Sequence, residues 1–168
     1  MRSWLVSDIW VKRTVLPSLE PETGLVSIGN FELPGVENYF WLAGDAYCGD
    51  RLASYGSALT FRVTWVVMRG DTSGTPTQGP DVVILGNNGL KLGFGENWYQ
   101  QNNISLTVQL EEQGWYHLVS DEADDVITSN RFGFKGAPVT RAQFLSVLAD
   151  VKHILLRAKF HTDQAEAR

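Results

Sequence analysis

Leu59-Thr60-Phe61-Arg62-Val63-Thr64-Trp65-Val66-Val67-Met68-Arg69 is the stretch on which the reading of the fold turns. Leu59, Phe61, Val63, Trp65 and Val67 fall on one side of an extended chain, and Thr60, Arg62 and Thr64 on the other. Successive strand side chains point to opposite faces, so a period of two predicts a strand with one dry face and one wet face. Residues 104–110 repeat the pattern, with Ile104, Leu106, Val108 and Leu110 inward and Ser105, Thr107 and Gln109 outward. Residues 81–85 and 90–94 flank Gly86-Asn87-Asn88-Gly89, a hairpin signal. Further strands are predicted over 115–119 and 153–160, the latter with Ile154, Leu156, Ala158 and Phe160 as its apolar face. Weaker ones are predicted over 12–16 and 25–28.

One helix is expected, at about 140–151. Thr140 and Gln143 form a capping-box pair after Pro138, and Phe144, Leu145, Leu148 and Val151 mark one face. Many short strands and one short helix predict an all-β fold, an antiparallel jelly-roll-like β-sandwich.

A chain of 168 residues suits one domain. That length buries enough surface to fold without a disulfide or structural metal. Six Trp, five Tyr and eight Phe favour a sandwich core over a helical bundle. A net charge of −5 argues against a general nucleic-acid binder, which needs a basic face to neutralise phosphates. It argues equally against docking on an anionic membrane, and no apolar run is long enough for membrane insertion. Ser7 and Asp8 interrupt the apolar residues near the start, so no signal-peptide core is seen. That leaves a cytosolic protein or a piece of a longer secreted chain. Cys48 is the single cysteine, which excludes an internal disulfide. It reads as a small buried hydrophobe or, alternatively, as an exposed thiol able to pair between chains.

Chemistry is sparse. His117, His153 and His161 stand at no metal-ligand spacing from one another or from Cys48. No nucleophile-elbow sequence is present, and no catalytic residue is assigned. Glu111, Glu112 and Asp121 could supply paired carboxylates, but neighbours on a strand point to opposite faces. Asp121-Glu122-Ala123-Asp124-Asp125 could hold a structural calcium, but it lacks the EF-hand spacing and reads in preference as a solvated hairpin tip. No other metal site and no cofactor is expected. The glycines of 86–95 match no phosphate loop, since no Gly-Lys-Ser/Thr and no helix follows. Aromatic pairs at Trp98-Tyr99 and Trp115-Tyr116 could form a sugar-binding platform, which makes a carbohydrate-binding jelly roll the alternative function.

Two short motifs remain. Asn103-Ile104-Ser105 is an N-glycosylation acceptor, meaningful only in a secreted chain. Arg69-Gly70-Asp71 is an integrin-binding candidate: its carboxylate completes a metal site on the receptor and its guanidinium meets an acidic cleft. It leads into 72–80, a stretch rich in turn residues that should loop out from the sheet.

Three spaced blocks then resemble the laminin IV type A domain. They are Gly49-Asp50-Arg51-Leu52-Ala53-Ser54-Tyr55-Gly56, running into the strand from Leu59; Pro80-Asp81-Val82-Val83-Ile84-Leu85-Gly86, followed by Gly89-Leu90-Lys91-Leu92; and Val139-Thr140-Arg141-Ala142-Gln143-Phe144-Leu145, running on to His153-Ile154-Leu155-Leu156-Arg157-Ala158. Tyr39-Phe40-Trp41 also fits, and the resemblance runs from about Trp4 to the end. It implies one module over 1–168, taken from a longer secreted basement-membrane glycoprotein, a laminin alpha chain in preference to perlecan. It implies flanking laminin EGF-like repeats and the other chains of a laminin heterotrimer as partners, with integrins possible partners through the tripeptide. It carries no catalytic residues. Two departures stand out. A final strand expected after 164–168 is missing, and Cys48 is not part of the pattern.

Overall fold

The computed structural model describes residues 4–29, 38–67, 79–95, 99, 101–118, 135–160 and 164–168. In chain order the strands are β1 (Trp4–Ser7), β2 (Thr14–Val15), β3 (Ser18–Leu19), β4 (Val26–Gly29), β5 (Phe40–Ala43), β6 (Ala58–Val67), β7 (Val82–Gly86), β8 (Lys91–Phe94), β9 (Asn103–Gln109), β10 (Trp115–Leu118), β11 (Lys135–Pro138), β12 (Val151–Arg157) and β13 (Gln164–Ala167). The helix α1 (Arg141–Leu148) precedes β12, and two single 3-10 turns, Asp45–Tyr47 and Leu52–Ser54, precede β6. Two antiparallel sheets result, in the orders β11-β10-β8-β7-β12-β5-β1-β2 and β3-β4-β13-β6-β9. This is the expected all-β sandwich.

The main core lies between the sheets. Val6, Trp41, Val82, Ile84, Leu92, Trp115 and Leu156 of the larger sheet meet Val108 and Ala167 of the smaller one. Leu59 and Phe61 pack against the same cluster, as the alternation of β6 requires. Helix α1 closes one end with Phe144, Val147 and Leu148. Phe144 meets Trp115 edge-on at 5.2 Å and Tyr55 at 6.2 Å. The capping box is formed: Gln143 N donates to Thr140 Oγ1 (3.2 Å) and Thr140 N to Gln143 Oε1 (3.0 Å). The helix ends at Leu148, and Val151 begins β12 instead of completing the helical face.

The β7–β8 hairpin closes where expected. Gly86 N donates to Leu90 O at 2.9 Å, and Gly89 adopts φ +87°, a backbone that side-chain-bearing residues avoid.

The larger sheet departs from the expected alternation because it is covered on both faces. Phe40, Leu42, Val83, Leu85, Tyr116, Leu118 and Leu155 are buried on its outer face around Ile9. The cover is the segment after β1, which folds back so that Ile9, Trp10 and Val11 lie on that face. Asp8 holds this cover, its carboxylate accepting the backbone N–H of Trp10 (3.2 Å), Lys12 (2.8 Å) and Arg13 (2.8 Å). Leu155, between the predicted inward residues Ile154 and Leu156, is therefore fully buried. The strand expected over 12–16 is reduced to the two residues of β2. Five strands, β1, β3, β5, β11 and β13, were not expected. The last of these lies inside its sheet, between β4 and β6.

Candidate functional site

The integrin candidate Arg69, Gly70 and Asp71 lies outside the described residues, in the connection between β6 and β7. What is described is the anchorage of that connection. On the β6 side, Val67 pairs with Gln164 of β13. The buried Gln164 side chain accepts from Phe160 N (2.7 Å) and donates to Ala158 O (2.7 Å). On the β7 side, Pro80 is buried and Asp81 is tied down through both its backbone and its carboxylate. Its N–H donates to Phe94 O (2.7 Å), and its carboxylate accepts from Tyr99 Oη (2.8 Å) and Arg157 Nη1 (3.2 Å). Both partners of that ion pair have side chains only 3% exposed.

Rings complete the cluster. Phe160 stacks on Trp65 at 4.5 Å and 12° and meets Tyr99 edge-on at 5.8 Å. The Arg157 guanidinium lies 4.5 Å over the Phe160 ring. Burial pushes the Asp81 carboxyl up from the usual carboxylate range, against the pull of the Tyr99 hydroxyl and the Arg157 guanidinium. Burial likewise lowers Arg157, and Asp81 opposes this. The arrangement ties down the described ends of the β6–β7 connection. Gly95 lies so close to the Asp81 carboxylate that a Cβ there would strike it.

The other candidates disperse. Glu112 accepts the Tyr55 hydroxyl at 2.5 Å, while its neighbour Glu111 is exposed, so the two form no carboxylate pair. That hydrogen bond holds the Glu112 carboxyl below its ordinary range and raises Tyr55 above its own. His117 Nε2 lies 2.9 Å from Gln143 Oε1, tying β10 to the helix cap. Cys48 is half-buried, and its thiol donates to Lys152 O at 3.2 Å. Burial and the nearby Asp45 push that thiol up. Asp121, Glu122, Asp124, Asp125, His161 and Trp98 lie outside the described residues. Among the described residues no group of His, Cys, Asp and Glu is placed to hold a metal ion. The sugar-platform pair Trp115-Tyr116 is corrected: both are buried, at 2% and 4% exposure, and face opposite sides of the sheet in separate clusters. Asn103 is exposed at the start of β9, with Arg62 Nε donating to its Oδ1 at 3.0 Å.

The Asp81–Arg157 footing was not singled out from the sequence. The signal was present: Arg157 ends an apolar run, Ile154-Leu155-Leu156, where a lone charge must find a buried partner.

The sequence profile of laminin B (domain IV) matches residues 40–168, more than half of the chain. The chain belongs to the laminin B (domain IV) family. It is 29% identical over 167 residues to human laminin subunit alpha-1, across 96% of this chain and 5% of that protein. It is 27% identical over 135 residues to the mouse basement membrane-specific heparan sulfate proteoglycan core protein, across 80% of this chain and 3% of that protein. The L4b domain of human laminin alpha-2 has the same fold, with a TM-score of 0.73 over 99% of this chain and 86% of that domain, at 18% identity. The chain therefore spans a small part of the curated relatives it matches. No helix among its described residues is long and apolar enough to cross a membrane.

Proposed function

We propose that this laminin B (domain IV) module is a structural and adhesive element of a secreted basement-membrane glycoprotein. The observation that carries the reading is the family match over residues 40–168, with laminin alpha-1 and a basement-membrane proteoglycan among the relatives. The physical basis of the role is stiffness: a sandwich with a dry core holds its connecting loops at fixed anchor points. The parent is a laminin alpha chain, with alpha-5 preferred on the strength of the Arg-Gly-Asp tripeptide. Laminin EGF-like repeats flank the module, and the other chains of the heterotrimer are its further partners.

Arg69-Gly70-Asp71 is the proposed integrin contact. The buried Asp81–Arg157 pair and the Gln164 hydrogen bonds support this reading, because they secure the chain on both sides of the tripeptide. Attachment of integrin-bearing cells to surfaces coated with the chain tests it. Asp71→Glu lengthens the carboxylate by one methylene and should abolish attachment that depends on divalent cations. Undiminished attachment by that variant refutes the integrin role.

A further inference from the structure

Strand β9 is an open edge, and an unusual one. The smaller sheet ends at β9, and among the described residues nothing pairs with its outer side. Trp65 N donates to Asn102 O (3.0 Å) and Leu110 N to Ser57 O (2.9 Å), which sets the phase of the β6–β9 ladder. Backbone groups in an antiparallel pair alternate in direction, so those of Asn103, Ser105 and Thr107 point away from β6. Unpaired edge groups of this kind template pairing with another chain.

The three other edge strands carry the usual defences. β2 and β3 are two residues long, and β11 holds Lys135 and Pro138. β9 has seven residues, Asn103-Ile104-Ser105-Leu106-Thr107-Val108-Gln109, with no charge and no proline. Its high content of β-branched and apolar residues favours pairing. Among the described residues only its far end is engaged, where Gln109 O accepts from Trp115 Nε1 at 3.1 Å.

The acceptor triplet sits on this same edge. Asn103 and Ser105 are both exposed on the wet face, while Ile104 between them is buried. Arg62 Nε donates to Asn103 Oδ1, so the carbonyl side of the amide is engaged and Nδ2 is turned away from Arg62. A sugar on Nδ2 leaves that hydrogen bond intact.

We propose that Asn103 carries an N-linked oligosaccharide and that this oligosaccharide shields the open edge of β9. The inference rests on the extracellular reading above. The donor is an oligosaccharide linked to a lipid pyrophosphate. Asn103 Nδ2 bonds to the anomeric carbon and gives up one proton. The bond from that carbon to the pyrophosphate oxygen breaks, and its electron pair leaves with the lipid pyrophosphate. Steric bulk at Asn103 then keeps a second β9 from approaching edge to edge.

The full chain is translated behind a cleavable signal sequence in the presence of microsomes, and lumenal entry is read by protease protection. The protected chain should carry one glycan, removed by amidase treatment in heavy-oxygen water with Asn103 converted to labelled aspartate. Ser105→Ala should abolish the modification. A protected chain with unmodified Asn103 overturns the proposal, whether or not the adhesive reading holds. Conversely, an occupied Asn103 on a chain that does not support attachment leaves this proposal standing and refutes the adhesive one. For the shielding role, light scattering compares glycosylated protein, unglycosylated Ser105→Ala protein, which keeps Asn103 uncharged, and Ser105→Ala/Thr107→Lys protein. Removal of the glycan should raise the mean mass about twofold by edge pairing, and the edge lysine should restore the monomer. An unglycosylated Ser105→Ala chain that stays monomeric overturns the shielding role.

Discussion

Asp81 and Arg157 are the residues whose environment departs furthest from what water would offer them. Two ions taken out of water gain little net stability as a pair, but removing one leaves the other uncompensated. Asp81→Ala or Arg157→Ala should therefore cost about 3–5 kcal/mol in urea unfolding, whereas a double replacement by Leu and Met should cost far less. Equal losses from the single and double variants would contradict this account. His153 supplies a pH-dependent term. Burial, then Lys152, lowers its pKa below the ordinary value, with Asp45 opposing them. The folded state thus binds fewer protons than the unfolded chain between the folded pKa and about 6.5. Stability from His153 is complete above the unfolded value and is lost as pH falls toward the folded one. His153→Gln should flatten the fall in melting temperature just below neutrality; an unaltered slope would assign it to other groups.

Among the elements, α1 depends most on local chemistry. It is eight residues long, too short to persist alone, and it is held by its cap and by Phe144, which is fully buried. Thr140→Ala removes the acceptor for Gln143 N and should cost about 0.5–2 kcal/mol. A loss of stability confined to unfolding measurements, with the β signal of the folded protein unchanged, is the expected outcome. The cap, the β7–β8 hairpin and the alternation of β6 and β9 were all legible in the sequence, because each depends on neighbours within a few positions. β1 and β5 were not. Phe40-Trp41-Leu42-Ala43 is buried throughout, so it shows no alternation. A short continuous apolar run does not by itself distinguish a strand from a buried helix turn. β12 misled for a related reason. The sequence assigned it one apolar face, Ile154, Leu156, Ala158 and Phe160, but from Leu155 onward a cover contributed by Ile9 and Trp10 makes both faces dry.

At the scale of the molecule, the two sheets depend on strands far apart in sequence. β13 lies between β4 and β6, and Arg168 exchanges backbone hydrogen bonds with Thr64 (3.1 and 2.9 Å). Deleting residues 164–168 should therefore split the smaller sheet and expose Trp65 and Ile28. We expect loss of the cooperative unfolding transition, followed by tryptophan fluorescence, and a chain that binds hydrophobic dyes. A deletion variant with an unchanged midpoint would show that β13 is dispensable. The sequence by itself determined the fold class, the capped helix, the hairpin, the acceptor triplet at Asn103 and the family, since these are written in short-range periodicity and ordered motifs. Only the tertiary structure decided which face of each central strand is dry, that Arg157 is matched by Asp81 across 76 positions, and that β9 is a sheet edge. Burial and strand order are set by what the rest of the chain lays alongside, and no local pattern encodes the neighbour.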